Sequence, residues 1–243
     1  IDINFAPVLD VNTNPDNPVI GDRSFGETPD RVSRHGAALI KGLQEFGVGA
    51  CGKHFPGHGD TDLDSHHSLP FISHDLKRLR EIEWPPFRAA IEAGVSSIMT
   101  AHVVLEAIDE KHPATLSPKT LRVLQKELDY RGLLISDDLE MKAVSEHYSM
   151  KEMVHRGLEA GISHFLCCKD PEPVLELYRC IIHAVEDQVI SHQALVDKAT
   201  QVRSWKRQFY RAPVAETEFA KVGCEEHQRL RHEIEARRQS IAS

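Results

Sequence analysis

Residues 53–70, KHFPGHGDTDLDSHHSLP, hold four histidines, three aspartates and a lysine in one Gly-punctuated stretch. Lys53, His54, His58, Asp60, Asp62, Asp64, His66 and His67 are too many titratable groups for a simple connector, and three chemistries compete for them. A calcium loop opening at Asp60 needs Gly at its sixth position and Glu at its twelfth. Ser65 and Phe71 stand there, so that reading fails. A catalytic zinc site has His54 and His58 at i, i+4, but Pro56 and Gly57 break the helix that would align them. Loop histidines can still bind metal, and a metal-dependent hydrolase stays open as an alternative. The third chemistry is acid/base work by Asp64 and His66. Two residues apart in an extended loop, they can turn to one neighbour. The carboxylate then raises the imidazole pKa from about 6.5, fixes its tautomer and leaves a general acid near neutrality. His58, Asp60 and His67 fit the blander role of holding the turn by hydrogen bonds.

A loop of this kind needs rigid elements on both sides. IDINFAPVL reads as a strand running into a polar loop, and TPDRVSRHGAALIKGLQEFG as a helix. Thr28 is its expected N-cap, Pro29 suits the first turn, and Val32, Leu39, Leu43 and Phe46 are expected to share the buried face. VGACGKHF is a second strand, feeding the His/Asp loop. A helical region near residues 75–93, interrupted at Pro85–Pro86, precedes a third strand, SSIMTAHV. The helix SPKTLRVLQKEL precedes a fourth, GLLIS, which delivers Asp137 and Asp138. Ser149 and Glu152 form a capping box for the next helix, and ISHFLCC is a fifth strand. Helices starting at Asp170–Pro171 and Ser191 follow, then a polar connector and an amphipathic helix carrying Leu230, Ile234 and Ile241.

Strand–helix alternation of this sort predicts a parallel sheet. The polar clusters follow strand ends: Asp10 to Arg23, Lys53 to His66, His102, Asp137, and Lys169–Asp170. That placement favours a (β/α)8 TIM barrel over an open doubly wound sheet, and no Gly-rich dinucleotide fingerprint follows a strand. About five of the eight strand–helix units are present, so the expectation is an N-terminally truncated barrel over residues 1–210, with 211–243 as connector and C-terminal helix. The net charge of -8 disfavours nucleic acid and anionic membrane surfaces as partners. No apolar run is long enough to span a bilayer. Five cysteines are an odd and sparse set, pointing to reduced thiols in a cytoplasmic setting. The neighbours Cys167 and Cys168 point to opposite faces of a strand rather than forming a pair.

KHFPGHGDTDLDSH, followed about seventy residues later by ISDDLEM, resembles glycoside hydrolase family 3, and within it the bacterial β-N-acetylglucosaminidases of peptidoglycan recycling. FAPVLDV, GDRSFG, PPFRAAIEAGV and TAHV add to the resemblance, which runs over essentially the whole chain. It implies a retaining hydrolysis of terminal β-linked N-acetylglucosamine by a monomer acting on a small sugar or muropeptide, without metal or cofactor. By the same resemblance Asp137 matches the nucleophile, His66 the acid/base and Asp64 its partner, while Arg23, Lys53 and His54 match residues that grip sugar hydroxyls. The family's earlier Asp and Arg sugar contacts have no counterpart from Ile1 onward. A retaining glycosidase needs a nucleophile and a proton donor on opposite sides of the anomeric carbon, usually two carboxylates. An imidazole donor departs from that pattern and does not repel phosphate as a carboxylate does, so a phosphorolytic relative is an alternative. Each residue also has a plainer reading: Asp137 or Asp138 as a helix cap, Lys53 as an ion-pair partner, Arg23 paired with Asp22 or Glu27. His102 is open between substrate contact and support.

Overall fold

Apolar runs and turn residues divide the chain into alternating strands and helices. The computed structural model describes residues 1–61, 69–210 and 221–242. In chain order the elements are β1 (Ile3–Asn4), α1 (Pro29–Glu45), β2 (Gly49–Phe55), β3 (Phe71–Ile72) and α2 (Leu76–Arg78). A wide turn over Leu79–Glu83 leads to α3 (Pro85–Glu92), β4 (Ser97–Thr100), β5 (Val104–Leu105), β6 (Asp109–Pro113) and α4 (Pro118–Lys126). Then come β7 (Leu133–Asp138), α5 (Lys142–Ser145), α6 (Met150–Ala160), β8 (His164–Leu166), α7 (Pro171–Glu186), α8 (His192–Phe209) and α9 (Glu225–Ala242). Two compact units result, Ile1–Phe209 and Tyr210–Ser243.

Five strands form one sheet in the order β1-β2-β4-β7-β8. Every neighbouring pair is parallel, with Ile3 opposite Gly49, Cys51 opposite Ser97, Ser97 opposite Leu133 and Ile135 opposite His164. The order never reverses, as it must at the switch point of a doubly wound sheet. Consecutive parallel strands joined through helices are an arc of a (β/α) barrel, the architecture predicted from the polar strand ends. A second sheet, β3-β5-β6, was not legible from periodicity. Its strand β6, DEKHP, exposes Glu110 and Lys111 and has no apolar alternation to betray it.

Local chemistry explains the helix ends. Ser149 and Glu152 make the reciprocal capping box at α6, and Gly161 closes that helix with φ +110°. The Ser117 hydroxyl accepts the Thr120 N–H at 3.2 Å, capping α4 ahead of Pro118. Thr28 occupies the N-cap of α1 but makes no side-chain cap bond. The buried stripe of that helix also differs from expectation: Val32, Gly36 and Ile40 face the core, while Leu39 and Phe46 are exposed. Gly36 is the reason, since a Cβ there would lie 2.6 Å from the Leu9 side chain. Helix and strand approach where no side chain intervenes.

The two faces of the sheet are filled differently. Ile98 and Leu134 join Leu9, Phe55, Trp84, Phe87 and Leu121 in the main core. Cys51, Met99, Leu133 and Ile135, on the opposite face, pack on Trp205 and Phe209 of α8. Alternation along β4 and β7 thus gives each face its own apolar layer. A third cluster joins Leu139, Val144, Met153, Leu158 and Leu177 around α6 and α7.

Candidate active site

After β1 the chain stays extended beside β2: Val8 bridges Lys53, and the Leu9 N–H reaches the Lys53 carbonyl. This places Asp10, fully buried, against the outgoing end of β2. Its carboxylate accepts the backbone N–H of His54 at 3.2 Å and of His58 at 2.7 Å, and lies 2.7 Å from His54 Nδ1. Burial alone would raise the Asp10 pKa, but the charge and hydrogen bond of His54 and the contribution of His58 outweigh it and hold the carboxyl below its usual range. A carboxylate only accepts, so His54 carries a hydrogen on Nδ1 toward Asp10 and leaves Nε2 for other partners. Arg23, on the short turn Gly21–Arg23, has Nη2 3.4 Å from that Nε2 and donates its Nη1 hydrogen to the Val19 carbonyl at 3.1 Å.

The turn beyond β2 is shaped by close packing. A Cβ on Gly59 would fall 1.8 Å from the Val11 carbonyl oxygen, so only glycine fits. His58 lies inside this turn, its Nδ1 2.6 Å from the Thr61 hydroxyl, its ring edge-on to His54 at 6.1 Å. Burial lowers its pKa to about 4, against the pull of Asp10. It is neutral near pH 7. Asp60 accepts from the Thr13 hydroxyl and pairs with His74 and, at 3.5 Å, Arg78. That pins both the turn and the segment leading into α2.

Asp137 arrives from β7, next to the strand's last residue. Its Oδ1 accepts the Asp138 N–H at 2.9 Å. Burial raises its pKa, but His54, His102, the Asp138 N–H and Lys53 together pull it below the ordinary carboxylate value. Lys53, near the end of β2, has its pKa lowered by burial and by Arg23, with Asp137 acting in the opposite sense. Arg23, on its turn, Lys53 and His54 of β2, and Asp137 of β7 are therefore one electrostatic cluster at the outgoing ends of the two strands that flank β4. An ionised carboxylate on a strand tip, flanked by ammonium, guanidinium and imidazole groups, can attack an electrophilic carbon while its neighbours hold hydroxyls. Asp64 and His66 lie outside the described residues. Asp10 was missed as a site residue, since it stands at the end of FAPVLD with nothing in its spacing to distinguish it from a loop former. Among the described residues, no group of three or more His, Cys, Asp or Glu side chains could hold a metal ion.

Residues 1–205 match the glycosyl hydrolase family 3 N terminal domain. The chain is 37% identical over 219 residues to a beta-hexosaminidase of Nitrosomonas eutropha, covering 87% of this chain and 62% of that protein. It is 40% identical over 178 residues to a beta-hexosaminidase of Neisseria meningitidis serogroup C, covering 73% of this chain and 49% of the relative. A solved family 3 beta-N-acetylglucosaminidase from Paenibacillus sp. superposes with a TM-score of 0.85 at 42% identity, over 88% of this chain and 42% of that one. The chain thus spans roughly half to three-fifths of the length of these two curated relatives.

Proposed function

Since the chain belongs to glycosyl hydrolase family 3, we propose that it is a β-N-acetylhexosaminidase that removes terminal β-linked N-acetylglucosamine from peptidoglycan-derived muropeptides. The observation that carries this reading is the ionised Asp137 at a strand tip, within electrostatic reach of His54 and Lys53. Asp137 is the nucleophile. With Oδ1 taken by the Asp138 N–H, Oδ2 attacks the anomeric carbon as the bond to the leaving oxygen breaks. His66, charged and steadied by Asp64, gives that oxygen its proton. The product of the first step is a glycosyl ester of Asp137. In the second, neutral His66 takes a proton from water, the water oxygen attacks the anomeric carbon, and the carboxylate leaves. Two inversions give net retention.

Arg23, Lys53 and His54 hold the sugar. Because Asp10 fixes the hydrogen on His54 Nδ1, Nε2 accepts a hydroxyl hydrogen while Arg23 and Lys53 donate. Anchoring bonds of this kind set the ring before reaction. The reading extends to a cytoplasmic setting. It is supported by five free cysteines, and no helix among the described residues is long and apolar enough to cross a membrane.

A chromogenic N-acetyl-β-glucosaminide tests the reaction, and an activated 2-fluoro sugar tests the nucleophile. The expected result is turnover with retained anomeric configuration and a covalent label on Asp137. A label on another side chain would refute the assignment. Running the reaction in phosphate separates hydrolysis from phosphorolysis, with free sugar expected and sugar 1-phosphate pointing to the alternative.

A further inference from the structure

His102 follows β4 at its outgoing end and is 1% exposed. Its Nε2 lies 3.0 Å from the Asp138 carbonyl oxygen, and its Nδ1 3.0 Å from the Thr115 hydroxyl. A carbonyl only accepts, so the hydrogen is on Nε2. Thr115 is itself 2.8 Å from the Thr100 hydroxyl and 3.0 Å from the Ala101 carbonyl, so the other edge of the ring is anchored on β4 and the residue after it. With both nitrogens engaged and the ring buried, His102 has no atom to offer a sugar.

Its partner is the residue that aims Asp137. The Asp138 N–H bonds the Asp137 carboxylate. The Asp138 carbonyl takes the His102 bond and the Met141 N–H at 3.1 Å. The Leu139 N–H of that same peptide reaches the Leu166 carbonyl of β8 at 2.9 Å. His102 therefore ties the tip of β7 to β4 from one side, as Leu166 ties it to β8 from the other.

We propose that His102 is a positioning residue, whose Nε2–H fixes the Asp138 backbone and thereby the direction of the Asp137 carboxylate. The proposal rests on the reading of Asp137 as nucleophile. Burial also holds the His102 pKa below its usual value, against the pull of Asp137 and Asp138.

Two arms test it. His102→Ala is expected to lower kcat and the rate of fluoro-sugar labelling by about 100-fold with KM unchanged, the scale of a nucleophile misplaced by about 1 Å. His102→Gln, which keeps a donor near the Nε2 position, is expected to recover most of that loss. An effect on KM alone, or a Gln variant as poor as the Ala variant with native circular dichroism, overturns the proposal. In the second arm, long-range nitrogen–proton NMR on the unmodified protein is expected to show His102 with its hydrogen on Nε2; an Nδ1–H ring overturns it. This arm needs no turnover. An unmodified enzyme inactive on N-acetylglucosaminides therefore counts against the functional reading, while the NMR spectrum still decides His102.

Discussion

Asp137 and Asp10 are both buried-side carboxylates that stay ionised, and they do so for different ends. Asp10 spends its oxygens on His54 and His58, whereas Asp137 accepts the Asp138 N–H through Oδ1. Replacing Asp137 with Asn removes the attacking charge and keeps the shape. Turnover should fall by at least about a thousandfold, with native circular dichroism and near-native substrate affinity measured by calorimetry. His58 gives a prediction in pH rather than rate. Its folded pKa, near 4, lies below the unfolded value of 6.5. The unfolded chain therefore takes up the proton first, and the stability His58 contributes, whole above pH 6.5, is lost as pH falls toward 4. Between pH 7.5 and 5 the unmodified protein should lose about 2 kcal/mol more than a His58→Gln variant, measured by urea unfolding. Equal slopes for the two proteins would place His58 in solvent. At this scale the sequence was legible where chemistry depends on clustering: Lys53 and His54 sit together in one run, and Asp137 in a short acidic pair. Asp10 and His102 were less so, because their importance lies in backbone atoms they hold, and a backbone partner leaves no mark in side-chain spacing.

At the scale of elements, strand order and most helix ends were readable, because they depend on local rules: apolar runs, Pro at first turns, the Ser149–Glu152 box. What sequence reasoning misjudged depended on contact between elements. Leu39 and Phe46 share a helical stripe with Val32, yet the close approach of Leu9 to Gly36 turns α1 so that Ile40 is buried instead. The small β3-β5-β6 sheet rests on backbone pairing of short, partly polar segments. Gly59 belongs to the same class of effect, with a carbonyl occupying the place of a Cβ. Gly59→Ala must displace the turn from Val11, and should lower both thermal stability and kcat, read by calorimetric unfolding and the chromogenic assay. On the opposite side of the sheet, Trp205 and Phe209 cover Met99, Leu133 and Ile135. Truncating Trp205 to Ala opens a cavity against the strands, at a cost of about 3–5 kcal/mol in urea unfolding. A loss below about 1 kcal/mol, typical of surface substitutions, would mean that α8 does not cover this face.

At the scale of the whole molecule, the two compact units differ in what holds them together. The three apolar clusters, the five-stranded sheet and each described side chain of the proposed site lie within Ile1–Phe209. In the second unit, α9 forms where the sequence predicts a helix, but Leu230 and Ile234 are 55% and 59% exposed. These two residues of the expected apolar stripe are not buried, and composition could not have shown this, since the same spacing suits a packed face and a bare one. A helix that leaves Leu230 and Ile234 this exposed adds little apolar burial to the fold. Ending the chain after Phe209 should therefore leave the urea midpoint, kcat and KM unchanged within error. A loss of activity on that truncation, with the sheet still folded by circular dichroism, would show that residues 210–243 act on the site.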